Sequence, residues 1–462
     1  MNIAFVTNEV YPFQKHGGLA DISASLPKTL NDRGHNITTI LPFYDDDPYQ
    51  AKFKLITKQD IILGDHIEPT EFYSYTHNKV RHIFIKNSLF SILDEKKEAL
   101  RYLVFSIAAL ESLKLIDHTI EILHINNWHT GFIPYLLDSN YRKDDKYKNI
   151  KTLLTIHNIE KQGIFEREIE RYLPFRNFTY ILNGQINFLK TGIMRSNSIN
   201  TVSKTYRKEI LLRFFSFDLD SALKSRQDNL FGILNGFDHN SYNPKKENLI
   251  PYNYSFSNYK DGKFKNKKFL IEKLNFDKNI EKPMLLFIGR LGRQKGIDLF
   301  KEKIQKLLKN KDIYFVVIGE GELKFEAFFR ELEKDFPKLV HYHSGFDQKI
   351  SHQAYAASDF FLLPSLFEPC GLNHMIAMRY GTLPIVRETG GLKDTVFEDT
   401  ENQNGYTFKN YTVDEFNSTL DRALKEYKEK TIKKIKIENA MNVTSFLNDM
   451  AKQYEDLYKK ID

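Results

Sequence analysis

The stretch Phe361-Leu-Leu-Pro-Ser-Leu-Phe-Glu-Pro-Cys-Gly-Leu-Asn-His-Met-Ile-Ala-Met-Arg-Tyr-Gly-Thr382 carries the strongest local signal in the chain. An apolar run from Phe360 to Leu363 predicts a buried strand that stops at Pro364. A polar turn follows, bearing Glu368 and the tight corner Pro369-Cys370-Gly371, and a helical stretch from Leu372 to Tyr380 opens directly behind it. Strand, sharp turn and helix in that order aim backbone N–H groups and the positive end of a helix at a ligand. The Glu368 carboxylate at the lip can accept hydrogen bonds from hydroxyls. Such a turn suits an anionic leaving group and a polyhydroxy substrate together.

On either side of this turn the same alternation recurs. Met284 to Ile288 predicts a strand ending in Gly289-Arg290-Leu291, and Tyr314 to Ile318 another ending in Gly319-Glu320-Gly321. Val340 to His343 and Leu383 to Val386 complete this second series. The N-terminal half reads alike: a strand at Met1–Val6, a helix over Ala20–Arg33 closed by Gly34, and strands at Asn36–Leu41, Ile120–Ile125, Lys151–Ile156 and Ser198–Val202. Alternating strands and helices predict parallel, doubly wound sheets with ligands at the carboxyl ends of their strands. Ile56–Phe90, rich in β-formers without helical spacing, reads as an antiparallel insertion. The polar stretch Asn235–Lys263 reads as a hinge between the halves. Ser445–Ile461 places Phe446, Met450, Tyr454 and Leu457 at spacings of three and four, an amphipathic helix.

Bulk composition narrows the class. The 462 residues suffice for two domains with separate cores, and 41% hydrophobic with 27% charged residues is a globular balance. Nothing in the sequence is apolar for long enough to span a membrane. Met1–Glu9 lacks a basic leader and reads as a first strand. The single cysteine, Cys370, excludes an internal disulfide or a cysteine-rich metal site, which fits a cytoplasmic setting. The net charge of +7 reflects mainly a drift toward Lys, Asn, Ile, Phe and Tyr. Lys and Glu mingle on expected solvent faces, and no basic block is interleaved with aromatics as nucleic-acid binding requires.

Other loops could carry chemistry. Lys15-His-Gly-Gly-Leu19 follows the first strand, where Gly17 and Gly18 admit close backbone approach and Lys15 adds a point charge suited to phosphate. In Gly289-Arg-Leu-Gly-Arg-Gln-Lys-Gly296, Arg290 and Lys295 sit at a strand-to-helix junction and could clamp a departing diphosphate. His157 ends the strand Leu153-Leu-Thr-Ile-His157, and read alone is better explained as a hydrogen-bonded structural residue than as a catalyst.

These segments together resemble the bacterial glycogen synthases and plant starch synthases. The resemblance rests on Glu-Pro-Cys-Gly-Leu-Asn373 followed by Arg379-Tyr-Gly-Thr-Leu-Pro-Ile-Val-Arg-Glu-Thr-Gly-Gly-Leu-Lys-Asp-Thr-Val396. It rests also on Lys15-x-Gly-Gly-Leu-Ala-Asp21, Arg290-Leu-x-x-Gln-Lys-Gly296, Thr155-Ile-His-Asn158, Leu234-Asn-Gly-Phe-Asp238 and His124-Ile-Asn-Asn-Trp-His129. It implies the GT-B arrangement: two doubly wound Rossmann-like domains facing across a cleft, with the C-terminal helix crossing back to the first domain. The expected domains are 1–240 on the acceptor side, 241–440 binding the nucleotide sugar, and 441–462 as the returning helix.

The family implies a retaining transfer of glucose from ADP-glucose to the non-reducing end of an α-1,4-glucan, without metal or other cofactor. UDP-glucose as donor, or a lapsed paralogue acting as a glucan-binding subunit, are the alternatives. Expected partners are those two substrates, with neither nucleic acid nor membrane, and the expected state is a monomer or weak homo-oligomer. By resemblance Lys15, His157, Arg290, Lys295 and Glu368 are catalytic. Lys15, Gly17, Gly18, Asp21, Asn235, Arg290, Lys295, Tyr355, Cys370, Gly371 and Leu372 bind the donor, with Tyr355 stacking on the base. Asn127 and Trp128 lie on the acceptor side. The chain departs from the family's pattern at Asn127 (usually Asp), at Glu160 and Lys161, and at His374 and Ile376. Arg213–Asp220 replaces a glycine-rich acceptor-side segment.

Overall fold

The computed structural model describes every residue except 16, 92, 93, 95, 96, 174–177, 240, 433, 444, 445 and 462, and leaves out the side chains of 178 and 446. The expected domain boundary at residue 240 and the Phe446 side chain therefore lie outside the described residues. The chain forms two units, Met1–Phe237 with Phe446–Asp462, and Asp238–Ser445.

The first unit is built on β1 (Asn2–Val6), β2 (Asn36–Pro42), β3 (Lys54–Leu63), β4 (His66–His77), β5 (Val80–Asn87), β6 (Ile122–Asn126) and β7 (Lys151–Ile156). The short strands β8 (Ile164–Phe165), β9 (Ile181–Leu182) and β10 (Gln185–Asn187) form a separate small sheet, and β11 (Ser198–Thr201) and β12 (Leu230–Gly232) return to the main one. The main sheet runs β12-β11-β7-β6-β1-β2-β5-β4-β3. It is parallel from β12 to β5. Only β5-β4 and β4-β3 are antiparallel. The expected insertion is thus an extension of the core sheet. Val80–Asn87, read from sequence as part of an antiparallel set, pairs on its other side in parallel with β2, burying His82, Ile83, Phe84 and Ile85. A strand buried on both faces loses the alternation that separates parallel from antiparallel pairing in a sequence.

β1 is flanked by β2 and β6, so the chain winds outward on both sides of it. The loops after β1 and β6 open where the winding direction reverses, the place where open α/β sheets bind ligands. The helix after β1 spans Gly18–Asp32 and begins earlier than expected, at the glycine itself.

The terminal helix Phe446–Ile461 packs within this unit. Met450, Tyr454, Leu457 and Tyr458 are buried, matching the apolar spacing of the sequence. The Tyr458 hydroxyl lies 2.7 Å from Nδ1 of His124 on β6, and Nε2 of that ring is 2.8 Å from the Thr155 hydroxyl. Asn200 Nδ2 donates to the Tyr454 hydroxyl at 2.9 Å. The helix is also clamped at its edge. Arg33 holds Glu455 through paired hydrogen bonds of 2.7 Å, and His35 Nε2 lies 3.1 Å from the same carboxylate.

The Arg33 bonds, joined by those from His35, hold the Glu455 carboxyl down from its ordinary 4.5 to about 2, against a smaller opposing effect of burial. A carboxyl depressed in the fold stabilises it above the unfolded pKa, and that contribution disappears as pH falls from about 4.5 toward 2. Glu455→Gln should therefore lower the urea midpoint clearly at pH 6 and much less at pH 2.5, where most of that contribution is gone. An equal loss at both pH values would show that Glu455 contributes packing and no charge.

The second unit carries β13 (Met284–Ile288), β14 (Tyr314–Ile318), β15 (Val340–His343), β16 (Phe360–Leu363), β17 (Leu383–Arg387) and β18 (Tyr406–Phe408). Its sheet runs β15-β14-β13-β16-β17-β18, parallel throughout. Reversal falls between β13 and β16, whose loops are Gly289–Gly296 and Pro364–Leu372. No helix among the described residues is long and apolar enough to cross a membrane.

Candidate functional site

In the second unit the two loops at the reversal are bound to one another. Gln294 donates from Nε2 to the Phe367 carbonyl at 3.1 Å, and Leu366 N–H donates to the Gln294 carbonyl at 2.8 Å. Arg290 leans on the Gln294 amide oxygen at 2.9 Å. This splicing brings Lys295 Nζ to 2.6 Å from Glu368 Oε2, with side chains 17% and 7% exposed. The Ser365 hydroxyl donates to the same oxygen at 3.0 Å. A carboxylate gripped this way has one free oxygen and a fixed orientation. Gly296 takes a left-handed backbone (φ 74°), and any Cβ there would lie 2.0 Å from the Pro364 carbonyl, so the loops touch backbone to backbone. Beneath the turn, Gly391 N–H donates to the Glu368 carbonyl at 3.1 Å. Cys370 is buried and Gly371 is left-handed at φ 78°. Leu372 closes the turn ahead of the helix Asn373–Arg379.

In the first unit the β1 loop holds Lys15 on Asp21, with Nζ 2.8 Å from both carboxylate oxygens. The Glu9 side chain, itself buried, accepts the Gly17 N–H at 3.1 Å and sets the approach to the helix at Gly18. His157 leaves the end of β7 beside the end of β6. Its N–H donates to Asn127 Oδ1 at 2.8 Å and its Nε2 lies 2.9 Å from Asn126 Oδ1. The residue is half-buried, yet dense packing around the ring pushes its pKa down to about 3, so the imidazole is neutral. Asn235 is buried just beyond β12. Trp128 is buried with its ring 4.0 Å from His129 in a stack, while Gly163 lies so close that a Cβ would stand 2.2 Å from the indole. Trp128 therefore supports the Gln162–Phe165 loop. Gln162 in turn donates to the Phe217 carbonyl at 2.7 Å, and this ties the Arg213–Asp220 segment to that loop.

Tyr355 requires a correction. Stacking on a base needs an open ring face, but Tyr355 is buried at 3% exposure. Its ring stacks on Tyr380 at 5.8 Å and tilts against Phe361 at 6.1 Å. The inward face of helix Gln348–Ala357 carries it into the core.

The family described as starch synthase catalytic domain matches residues 2–225, and that described as glycosyl transferases group 1 matches 268–448. The chain is 41% identical to a glycogen synthase of Acholeplasma laidlawii, covering 100% of this chain and 99% of that one. It is 36% identical to a glycogen synthase of Bacillus subtilis, covering 100% and 98%. The catalytic domain of starch synthase IV from Arabidopsis thaliana, solved bound to ADP and acarbose, superposes with a TM-score of 0.92 at 30% identity, over 100% of this chain and 99% of that one. The chain belongs to the glycogen and starch synthase family. It is a glucosyltransferase with two α/β units of the GT-B kind. A sucrose-phosphate synthase from Thermosynechococcus elongatus, at 16% identity and a TM-score of 0.64, shares the fold.

Several departures from the glycogen and starch synthase pattern acquire a structural reading. Asn127 keeps an oxygen acceptor for the His157 N–H, a bond that the family's aspartate could also accept. His374 and Ile376 are buried, the His374 ring lies against Gly371, and His374 Nε2 meets the Thr395 hydroxyl at 2.7 Å. Burial, reinforced by the nearby Lys295 charge, brings the His374 pKa down to about 3. Glu160 and Lys161 are exposed. Sequence reasoning overlooked Glu9, Gln294 and Ser365. Gln294 stood inside a quoted motif, and Glu9 and Ser365 lie just beyond strand ends at the reversal points, which is the signal that could have found them.

Proposed function

We propose that this chain transfers glucose from ADP-glucose to the non-reducing 4-hydroxyl of an α-1,4-glucan, with retention of configuration. The observation that carries the reading is the Lys295–Glu368 pair, held by interlocked loops at the reversal of the second sheet. The ADP in the Arabidopsis starch synthase IV structure supports the choice of nucleotide, and acarbose there supports a glucan acceptor.

The chemistry follows from the groups present. Lys15, the Gly18 N–H, Arg290 and Lys295 take up charge that grows on the departing diphosphate, which stabilises the transition state more than the ground state. Glu368, pinned by Lys295 and Ser365, and the Cys370–Leu372 backbone accept and donate to the glucose hydroxyls. Neutral His157 stands against the glucose, and Asp21, Gly17 and Asn235 shape the donor loops. Asn127 and Trp128 order the acceptor side. Because Glu368 is spent on binding, no glucosyl-enzyme forms on it. We assign the activity to the cytoplasm, where its one thiol stays reduced.

The test offers labelled ADP-glucose or UDP-glucose with glycogen and follows the anomer of the new linkage by digestion with an α-1,4-specific amylase. Incorporation from ADP-glucose that amylase fully releases is expected. Preference for UDP-glucose would overturn the donor assignment, and amylase-resistant label would overturn retention.

A further inference from the structure

Asn126, the last residue of β6, is fully buried and precedes Asn127 on the acceptor side. Its amide has two neighbours of opposite demand. Nδ2 lies 3.0 Å from the Val6 carbonyl, which can only accept. Oδ1 lies 2.9 Å from His157 Nε2. Turning the amide over would set its oxygen against the Val6 carbonyl oxygen, two lone pairs face to face without solvent. The Val6 carbonyl therefore fixes which end of Asn126 faces the histidine, and an oxygen there demands a proton on Nε2. In a neutral ring the other nitrogen, Nδ1, then carries the lone pair. Among the described residues Nδ1 meets no hydrogen-bond partner, and the second grip on His157, from Asn127 Oδ1, acts on its backbone and leaves the ring free.

We propose that Asn126 is a positioning residue that locks His157 in the Nε2–H tautomer, so that the imidazole meets its ligand only as an acceptor at Nδ1. A ring so held recognises a hydroxyl of the donor sugar and gives no proton to an anionic oxygen. The inference rests on the proposed place of His157 beside the glucose, and it adds the residue that dictates how that histidine binds. Burial supports it independently, since a ring kept neutral cannot switch to donating from both nitrogens.

The experiment uses the full chain labelled with 15N-histidine, with the His157 resonances assigned by their loss in His157→Gln. Two-bond nitrogen–proton correlations should show the neutral Nε2–H tautomer at pH 7, and an Nδ1–H tautomer or an imidazolium would overturn the proposal. In Asn126→Leu, which keeps volume and removes the acceptor, the Nε2–H population should fall and kcat should drop on the order of 10-fold, with KM for glycogen nearly unchanged. An unshifted tautomer in folded Asn126→Leu would overturn the lock. A shifted tautomer with unchanged turnover would leave the lock intact and remove His157 from the glucose site. Should Asn126→Leu fail to fold, the wild-type spectrum still decides the tautomer.

Discussion

Lys295→Ala should reduce turnover with ADP-glucose on the order of 10²-fold, the scale of losing one preorganised charge-stabilising group. Lys295 stands 2.6 Å from Glu368 Oε2, and both side chains are largely out of water. Its removal therefore has two effects. In the proposed mechanism the departing diphosphate loses a cation, and Glu368 is left buried with Ser365 as its remaining polar anchor. Removing one partner of a buried pair typically costs ~3 kcal/mol of stability, so a lower urea midpoint should accompany the activity loss. Lys295→Arg separates the effects, because it keeps the charge but brings a planar fork in place of a compact ammonium. Near-normal turnover in folded Lys295→Ala, checked by circular dichroism, would take Lys295 out of the mechanism.

Gly390→Ala should destabilise the second unit by about 3 kcal/mol or more and lower activity in step. Gly390 is left-handed (φ 45°), and a Cβ there would lie 1.8 Å from the Glu368 carbonyl oxygen and 3.3 Å from that of Pro369. The collision falls on the backbone, which cannot swing aside as a side chain can, so relief must come from moving the turn that presents Glu368. Gly184→Ala is the control. Gly184 is also left-handed (φ 82°) but has no neighbour within 4 Å, so it should lose only the intrinsic ~1 kcal/mol of a left-handed residue. Equal shifts of the urea midpoints in the two variants would show that backbone conformation, and not contact with the Glu368 turn, sets the requirement for glycine.

The sequence was most readable where period and punctuation coincide. The five-residue apolar runs at Met284–Ile288 and Tyr314–Ile318, each ending in glycine, gave strands with those same bounds. The loops bearing Arg290, Lys295 and Glu368 were legible as motifs, since glycine and proline at fixed offsets mark where backbone must turn. Tyr355 was not legible, because a tyrosine that stacks on a base and one that stacks on Tyr380 have the same spacing on a helix. The place of Val80–Asn87 was hidden for a related reason, as burial on both faces erases the alternation that would have assigned its pairing. Asn126 and Glu9 escaped notice because each is oriented by a backbone group, Val6 O and Gly17 N–H, which no residue pattern announces.

The helix Phe446–Ile461 belongs to the unit that begins at Met1, while Asp238–Ser445 is one uninterrupted segment. During synthesis the intervening segment can therefore complete its contacts before the earlier one. As the nascent chain leaves the ribosome, the first unit must wait with Nδ1 of His124 unpaired and the apolar bed of Met450 and Tyr458 uncovered until residues 446–461 emerge. A message truncated just before residue 446 would yield a complete second unit joined to a first unit open to chaperones and proteases.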